Sequence, residues 1–249
     1  MTGRIVANKG KTEVGEKERG SSPVQIRIAR SADAPDVLTI YAPYVTETTV
    51  TFEDEIPTGR DFCGRISRIL EKYPYVVAEV DGQIVGYAYA SEYKGRAAYD
   101  WSVEVTVYLA QGNEGRGIGR LLYEVLEQCL RLQGVVNLTA CITAENSGSV
   151  AFHEHCGFER VGTFPHIGYK FGRWLDVVWM QKTLVQAPEH TAMQETERTA
   201  ALVAGRTAVA APQAPAHATL PSLPAPREFE PFPLLVSSGK ASAVLDGVR

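Results

Sequence analysis

Three glycines at alternate positions, Gly115, Gly117 and Gly119, lie between an apolar run typical of a β-strand and an amphipathic helical pattern. Because glycine has no Cβ atom, a bulky anion can approach its backbone closely. The unpaired N–H groups and the dipole at the start of the helix favour negative charge at the same place. The spacing therefore predicts a site for a pyrophosphate carried by a nucleotide-like cofactor.

The residues around these glycines narrow the choice of cofactor. A Walker loop continues with Gly-Lys-Ser/Thr, whereas Gly119 is followed by Arg120 and Leu121, which disfavours ATP and GTP. A dinucleotide fingerprint reads G-x-G-x-x-G, whereas this chain reads G-x-G-x-G, so NAD is a weak candidate. On their own, the glycines also fit an ordinary turn between a strand and a helix.

Glu104 is the residue best placed for acid–base chemistry. In the predicted strand 100–109, Glu104 lies between Ser102 and Thr106 on one face, while the opposite face is apolar. A central strand covered on both sides should be apolar on both faces, so the polar face indicates a cleft, and a solvent-facing surface is the alternative. Partial burial would raise the pKa of the Glu104 carboxyl group and suit it to act as a general base.

Two segments resemble the coenzyme A-binding segments of the GNAT superfamily of N-acetyltransferases. Residues 114–119, Glu-Gly-Arg-Gly-Ile-Gly, are similar to the Q/R-x-x-G-x-G/A loop of that superfamily. In residues 146–158, an asparagine opens a helix that ends in Gly-Phe, as in the second cofactor segment. Glu114 departs from the pattern, because it replaces the usual Gln or Arg.

Further segments are similar to one branch of this superfamily, the phosphinothricin N-acetyltransferases. The resemblance covers about residues 26–184, and Phe171 departs from it where the branch commonly has His. It implies a mixed α/β (α+β) fold with a mostly antiparallel twisted sheet, flanking helices and a β-α-β unit that binds coenzyme A. The segments that carry the branch resemblance are residues 73–80, 98–108 and 168–177.

The resemblance also implies an activity. The expected reaction transfers acetyl from acetyl-CoA to the α-amine of phosphinothricin, methionine sulfone or methionine sulfoximine, and confers resistance to such compounds. Direct transfer in a ternary complex is expected, without an acetyl-enzyme and without a metal. The partners implied are the small-molecule amine and a second copy of the chain in a homodimer. The alternatives are an acetyltransferase for another amine and a non-catalytic acyl-CoA sensor.

Glu104 and His153 are the catalytic residues that the resemblance indicates. His153 comes seven residues after Asn146, where many superfamily members have a tyrosine that protonates the leaving thiolate and this branch has His. An imidazole suits the role of acid or second base, and an ordinary half-exposed helical His is the alternative. Metal binding by His153, His155 and Cys156 is disfavoured, because residues two apart on a helix point to nearly opposite sides.

The binding residues follow from the same resemblance. Lys94 and Arg96 would pair with the acidic groups of the substrate, although surface solvation is their ordinary role. Arg173 and Tyr169 are further candidates across a dimer interface. The full set is, for the cofactor, Val107, Tyr108, Leu109, Gly115, Arg116, Gly117, Ile118, Gly119, Arg120 and Asn146, and for the substrate, Phe52, Lys94, Arg96, Tyr99, Thr106 and Tyr108.

Composition excludes several other classes of protein. With 249 residues, of which 45% are hydrophobic and 22% charged, the chain can form one sizeable core. A net charge of −4 gives no electrostatic basis for binding nucleic acid, and no stretch is long enough to cross a membrane. The four cysteines form no C-x-x-C pair, and the N-terminus has no apolar signal sequence, so a cytoplasmic location is expected.

The chain divides into three regions by composition. We expect a disordered extension over 1–23, the acetyltransferase domain over 24–184 and an Ala/Pro-rich tail without a core over 185–249, in which 229–236 is a weaker candidate for a docking peptide. Asp81-Gly82 predicts a hairpin, and Ser31 is the expected cap of the first helix. Predicted strands are 24–29, 75–80, 84–93, 100–109, 135–142, about 159–164 and 175–184, and predicted helices 33–44, 58–72, 116–133 and 147–155.

Overall fold

The computed structural model describes residues 23–184, 232–237 and 239–246. These residues form seven strands and six α-helices. In chain order they are β1 (Gln25–Ile28), α1 (Ala34–Glu47), α2 (Gly59–Leu70), β2 (Tyr75–Val80), β3 (Gln83–Glu92), β4 (Ser102–Leu109), α3 (Ile118–Leu132), β5 (Asn137–Thr143), α4 (Ser147–His155), β6 (Glu159–Lys170), β7 (Arg173–Thr183), α5 (Phe232–Ser237) and α6 (Lys240–Asp246).

The strands form one sheet in the order β1-β2-β3-β4-β5-β7-β6. Strands β4 and β5 run parallel, and the other neighbours are antiparallel. The predicted hairpin joins β2 and β3, with φ of +52° at Asp81 and +76° at Gly82, as a tight primed turn requires. The predicted fold class, a mostly antiparallel sheet flanked by helices with one β-α-β unit, is confirmed.

The two faces of β4 pack against different helices. Val103 and Val105 are buried in the core cluster that contains Leu122 and Leu126 of α3. On the opposite face, Tyr108 contacts Tyr41 of α1, with the two ring centroids 5.2 Å apart. The alternation predicted for this strand is therefore observed, and it leaves the polar residues of β4 on the α1 side of the sheet.

Several predicted boundaries and one cap were wrong. Ser31 starts a 3₁₀ turn instead of capping α1, and the carboxylate of Asp33 accepts the backbone N–H of Arg30 at 2.7 Å. Helix α3 begins at Ile118, because Gly117 adopts φ of +80° and cannot be part of a right-handed helix. Leu132, expected in the core, is 41% exposed at the last position of α3.

Strand β6 is longer than predicted and continues to Lys170. A bulge at residues 165–167 interrupts its register against β7, and there the backbone N–H of His166 donates to the Asp176 carboxylate at 2.8 Å. Pro165 is tolerated because β6 is an edge strand and the proline lies in the bulge. The extension brings Gly168 and Lys170 close to the cavity described below.

The C-terminal residues that the structure describes differ from the expectation of a tail without structure. Helices α5 and α6 pack on the core of the domain, with Phe232 only 1% exposed and Ala241 fully buried. The backbone N–H of Phe232 donates to the carbonyl oxygen of Lys72 at 3.3 Å. The predictions for 1–22 and 185–231 lie outside the described residues. In the described part of the chain, no helix combines the length and apolar character needed to cross a bilayer.

Candidate active site

A cleft opens where β4 and β5 separate. The two strands pair from Ser102 and Asn137 to Glu104 and Thr139, and a cavity of about 300 Å³ begins at that point. Because β4 continues to pair with β3 up to Leu109, backbone groups on its other edge point towards the cleft. These groups can form hydrogen bonds with an extended ligand in the way that a further strand would.

Residues from β4, β5, α4 and the segment after α1 line the cavity. Among the predicted site residues, the structure brings together there Phe52, Glu104, Thr106, Val107, Tyr108, Asn146 and His153. The sequence separates these positions by up to about a hundred residues, and only the splaying of the two central strands places them around one space.

Glu104 lies half-buried in the cavity wall. Burial raises the pKa of its carboxyl group above the ordinary value, and the charge of Lys94 partly opposes this effect. A carboxylate with a raised pKa is a stronger base than an exposed one. Glu104 therefore has the burial and the position that a general base requires.

His153 is buried rather than half-exposed, with 3% of its surface accessible. Its Nδ1 atom lies 2.7 Å from the carbonyl oxygen of Ser149, and since that oxygen can only accept, Nδ1 carries the hydrogen. The Nε2 atom then accepts from the hydroxyl of Tyr123 at 2.8 Å. Burial also lowers the pKa of the imidazole, so the neutral ring is favoured.

Tyr123 is a site residue that the sequence reasoning missed. Its ring is buried between Phe152, His153 and Phe158, and it also lines the cavity. Burial raises the pKa of the Tyr123 hydroxyl well above its usual value. The sequence did contain a signal that could have identified Tyr123, because it places a hydroxyl-bearing residue on the apolar face of α3. A buried tyrosine usually needs a hydrogen-bond partner.

The glycine turn before α3 has the backbone conformation that an anion site needs. Gly115 and Gly117 have φ of +71° and +80°, and a Cβ atom added at either would meet open space. The N–H groups of the first turn of α3, which begins at Ile118, have no partner within the helix. The turn thus fits a pyrophosphate.

Gly119 lies at a close contact between two helices. It lies inside α3, where an added Cβ atom would be 3.2 Å from the ring of Phe152 on α4. The absence of a side chain at Gly119 therefore allows α3 and α4 to pack closely. Of the three glycines, Gly115 and Gly117 have a positive φ, and the contribution of Gly119 to the anion site stays a prediction.

Polar side chains near the turn are largely engaged with one another. Arg116 donates to Asn113 Oδ1 at 2.6 Å, and Arg120 pairs with Glu124 at 2.8 Å, both on the exposed surface. The Glu114 carboxylate accepts the backbone N–H of Gly112 at 2.8 Å, so it folds back onto the loop. The two arginines can exchange these exposed partners for a phosphate at small cost.

Of the remaining predicted cofactor residues, one lies in the cavity wall and one at the end of β4. Asn146 caps α4, where its Oδ1 atom accepts the backbone N–H of Ser149 at 3.1 Å. Leu109 lies outside the cavity wall, and its carbonyl oxygen accepts the hydroxyl of Tyr44 at 2.7 Å. This bond fixes the end of β4 immediately before the loop that leads to the glycine turn.

The structure separates the predicted substrate-binding residues into two groups. Phe52, Thr106 and Tyr108 are in the cavity wall, whereas Lys94, Arg96 and Tyr99 lie on the exposed connection between β3 and β4, outside that wall. The pKa of Glu104 responds to the charge of Lys94, which places this ammonium within electrostatic reach of the cavity.

Three further side chains have contacts that the sequence did not indicate. Glu53, which the sequence reasoning missed, lines the cavity and pairs with Arg65 at 2.5 Å. Arg173 forms a two-pronged pair with Glu145, with both N–O distances at 2.7 Å. Tyr169 is 56% exposed beside Trp174, away from the cavity.

Comparisons with known proteins identify close similarities over the domain. Residues 26–179 match the family model described as "Acetyltransferase (GNAT) domain". A phosphinothricin N-acetyltransferase of Streptomyces viridochromogenes is 39% identical over 160 residues, which are 64% of this chain and 87% of that protein. An L-methionine sulfoximine/L-methionine sulfone acetyltransferase of Pseudomonas aeruginosa is 35% identical over 164 residues, 64% of this chain and 94% of the relative.

The fold is similar to that of solved acetyltransferase structures. A GNAT superfamily phosphinothricin acetyltransferase from Sinorhizobium meliloti, solved in complex with acetyl-CoA, superposes with a TM-score of 0.63 at 35% identity. That match covers 67% of this chain and 94% of the solved one. The residues that form the cleft between β4 and β5 all fall within the segment that matches the family model.

Proposed function

We propose that this chain, which belongs to the GNAT acetyltransferase family and is an acetyl-CoA-dependent N-acetyltransferase, acetylates the α-amine of phosphinothricin or of a related glutamate-like compound such as methionine sulfone or sulfoximine. The observation that carries the proposal is the half-buried carboxylate of Glu104 in the cleft between β4 and β5. The names of the two relatives described above support the choice of substrate.

The residues around the cleft fit acetyl-CoA, which supplies the acetyl group as a thioester. The backbone of β4 over Val107–Leu109 would pair with the pantetheine arm, and Asn146 would contact the same region. The glycine turn and the first turn of α3 would hold the pyrophosphate, since both offer backbone N–H groups to an anion. Arg116 and Arg120 would add positive charge at the rim.

Glu104 starts the reaction by removing a proton from the substrate ammonium, directly or through a water molecule, because an ammonium has no lone pair for attack. The amine nitrogen then bonds to the thioester carbonyl carbon in a ternary complex, and the carbon–sulfur bond breaks. The nitrogen loses its second proton, which passes through water to restore the group that protonates the sulfur. A backbone N–H of β4 facing the cleft stabilises the oxygen that becomes negative in the tetrahedral intermediate. No side-chain nucleophile takes part.

Tyr123 is the proposed donor of the proton that the departing sulfur takes up. His153 cannot give a proton from Nε2 while that atom accepts the Tyr123 hydroxyl, and burial disfavours the imidazolium that would be needed. The role proposed for His153 is therefore to hold the Tyr123 hydroxyl beside the cleft through this hydrogen bond, which opens when the hydroxyl turns to the departing sulfur. This differs from a role for His153 itself as the acid or as a second base.

The proposed assembly is a homodimer formed through the β6–β7 hairpin. Six large apolar side chains are exposed on this hairpin, and exposed apolar groups of that kind often mark a protein–protein contact. A second copy of this chain would cover it, and light scattering should give twice the chain mass of 27.2 kDa. The double variant Ile167→Glu, Trp174→Glu should give one chain mass, and a monomeric wild type at tens of micromolar would contradict the dimer. The exposed side chains are Val161, Phe164, Ile167, Tyr169, Phe171 and Trp174, each at least 51% accessible.

A cytoplasmic location is also part of the proposal. Cys63, Cys129, Cys141 and Cys156 are all free thiols in the structure, as is usual in a reducing compartment.

The test of the proposed substrate is a panel of amines with the full-length protein. Purified protein is mixed with acetyl-CoA and L-phosphinothricin, methionine sulfone, methionine sulfoximine, spermidine or a short peptide, and the release of thiol is followed. Saturable release with one or more of the first three compounds, together with the N-acetyl product by mass spectrometry, supports the proposal. Acetyl-CoA binding without release for any amine would favour the sensor.

A second candidate is acetylation of a cationic amine such as a polyamine. Glu53 and Glu104 both line the cavity, whereas Lys94 and Arg96 lie outside its wall, and an acidic cavity favours a cation. Release of thiol with spermidine alone would select this candidate over the glutamate-like substrates.

A further inference from the structure

Lys170, near the end of β6, is almost completely buried, with 2% of its surface accessible. Its ammonium group donates to the carbonyl oxygens of Val45 and Thr51, each at 2.7 Å, and lies 4.9 Å from the centre of the Phe171 ring. Burying an ammonium group is unfavourable unless hydrogen bonds compensate for the lost water. Lys170 therefore contributes to the structure or the function in a way that a surface lysine would not.

The two carbonyl groups belong to different parts of the chain. Val45 is in the last turn of α1, where the carbonyl groups lack helical partners and a cation interacts favourably with the helix dipole. Thr51 belongs to the segment of residues 48–54, which we term the substrate loop, and residues 50–53 of this loop line the cavity. The Lys170 ammonium thus joins the end of α1 to the wall of the proposed substrate site.

Gly168, two residues before Lys170 on the same strand, shapes the same loop. The ring of Phe52 packs directly on Gly168, and an added Cβ atom would lie 2.0 Å from the Cε2 atom of Phe52. Such a distance cannot be accommodated unless the Phe52 ring moves. The end of β6 therefore fixes the substrate loop both through the carbonyl of Thr51 and through the ring of Phe52.

Other contacts also hold the loop. The hydroxyl of Tyr41 is 2.6 Å from Thr51 Oγ1, and the Thr143 hydroxyl donates to the carbonyl oxygen of Thr49 at 2.6 Å. Glu53 pairs with Arg65, and that pair is partly exposed to solvent. The bond from Lys170 differs from these contacts, because it places a full charge behind the loop in a site shielded from water.

We propose that Lys170 is a positioning residue for substrate binding. Its ammonium fixes the backbone of Thr51 and thereby the place of Phe52 in the cavity wall, so that the KM for the amine depends on it. This inference rests on the proposed function, because it takes the substrate loop to be the part of the cavity wall that contacts the amine substrate.

The test compares Lys170→Met with Lys182→Met in the full-length chain. Lys182 is a matched control, because it lies on β7 in the same hairpin and pairs with Glu127 at 2.6 Å, but does not line the cavity. We expect Lys170→Met to raise the KM for L-phosphinothricin by about tenfold or more, on the scale of a small misplacement of binding groups, with the Kd for acetyl-CoA unchanged. We expect Lys182→Met to leave both constants unchanged. Equal effects of the two substitutions on the amine KM, or no effect of Lys170→Met, would overturn the inference.

Two further measurements keep the inference testable if Lys170→Met folds poorly or if no amine is turned over. Gly168→Ala should displace Phe52 and raise the same KM, and an unchanged KM would count against the substrate loop as the amine wall. Amide hydrogen exchange of residues 48–54 should become faster in Lys170→Met than in Lys182→Met without any substrate. Unchanged exchange would overturn the positioning role, whereas a wild type inactive on every amine would contradict the proposed function alone.

Discussion

The hydroxyl of Tyr123 donates a hydrogen bond to Nε2 of His153 across 2.8 Å. The direction of this bond is fixed, because the Nδ1 hydrogen of His153 is directed to the carbonyl oxygen of Ser149 at 2.7 Å. The buried pair therefore holds its transferable proton on the phenol, which lines the cavity. Tyr123 on α3 and His153 on α4 thus form a hydrogen-bonded pair beside the proposed reaction centre.

Tyr123→Phe should lower kcat by about 10- to 100-fold. This range reaches the lower end of the effect usually seen when an acid catalyst is lost. The ring and its packing are retained, so the Kd for acetyl-CoA should change little. Tyr87→Phe is the control, because Tyr87 is also buried but lies outside the cavity wall. Wild-type kcat in Tyr123→Phe would remove Tyr123 from the proposed mechanism.

Gly117→Ala should weaken acetyl-CoA binding by about tenfold, since a left-handed backbone conformation costs an L-residue roughly 1–2 kcal/mol and the turn would relax away from it. Gly82→Ala is closely matched, because Gly82 has φ of +76° and equally open surroundings in a distant hairpin. Isothermal titration calorimetry with acetyl-CoA measures both variants. Equal affinities in the two variants would contradict the assignment of the turn to the pyrophosphate.

Cys141→Ala should retain near wild-type turnover, although this thiol lines the cavity close to Glu104. Desolvation and then the Glu104 charge raise the pKa of Cys141 to about 11, so little thiolate is present at neutral pH. Direct transfer also predicts intersecting lines in initial-velocity plots. Parallel lines together with an inactive Cys141→Ala variant would indicate an acetyl-enzyme instead.

Phe232→Ala should lower the free energy of unfolding by about 3 kcal/mol if α5 stays docked, which is the scale for other buried phenylalanines. The decrease should be smaller if α5 detaches in the variant. Val236→Ala, at a position 38% exposed on the same helix, should change it by less than about 1 kcal/mol. Because α5 is remote from the cleft, kcat at 25 °C should be unchanged in both. Chemical denaturation that shows equal stabilities for the two variants would argue against docking of α5.

Local patterns predicted much of the fold because they act over short distances. The Asp81-Gly82 turn and the alternation around Glu104 each follow from the geometry of a few residues. The end of β6 was missed because a proline and a glycine normally interrupt a strand, and here a bulge on the edge of the sheet accommodates the proline.

The parts of the site that sequence reasoning missed depend on long-range packing. Glu53 lines the cavity on a loop in which the carbonyl oxygen of Thr51 accepts a hydrogen bond from Lys170, 119 positions later. Tyr123 reads as a core residue of α3 until α4 brings His153 against it. The proline-rich composition of the tail favoured a segment without a core over docking of residues 229–236. A single buried aromatic residue such as Phe232 leaves no periodic signal that would have reversed this preference.

The variant Glu104→Gln tests whether Glu104 removes the proton from the amine. Because the amide cannot accept this proton, kcat should fall by about 100-fold or more while the Kd for acetyl-CoA stays within twofold of wild type. Glu92→Gln, at an exposed position of β3, is the control. In the wild type, kcat/KM should fall on acidification through an apparent pKa above 4.5, because burial raises the pKa of Glu104, and this limb should be absent from the variant. Turnover of Glu104→Gln at the wild-type rate, with the acid limb preserved, would contradict the account.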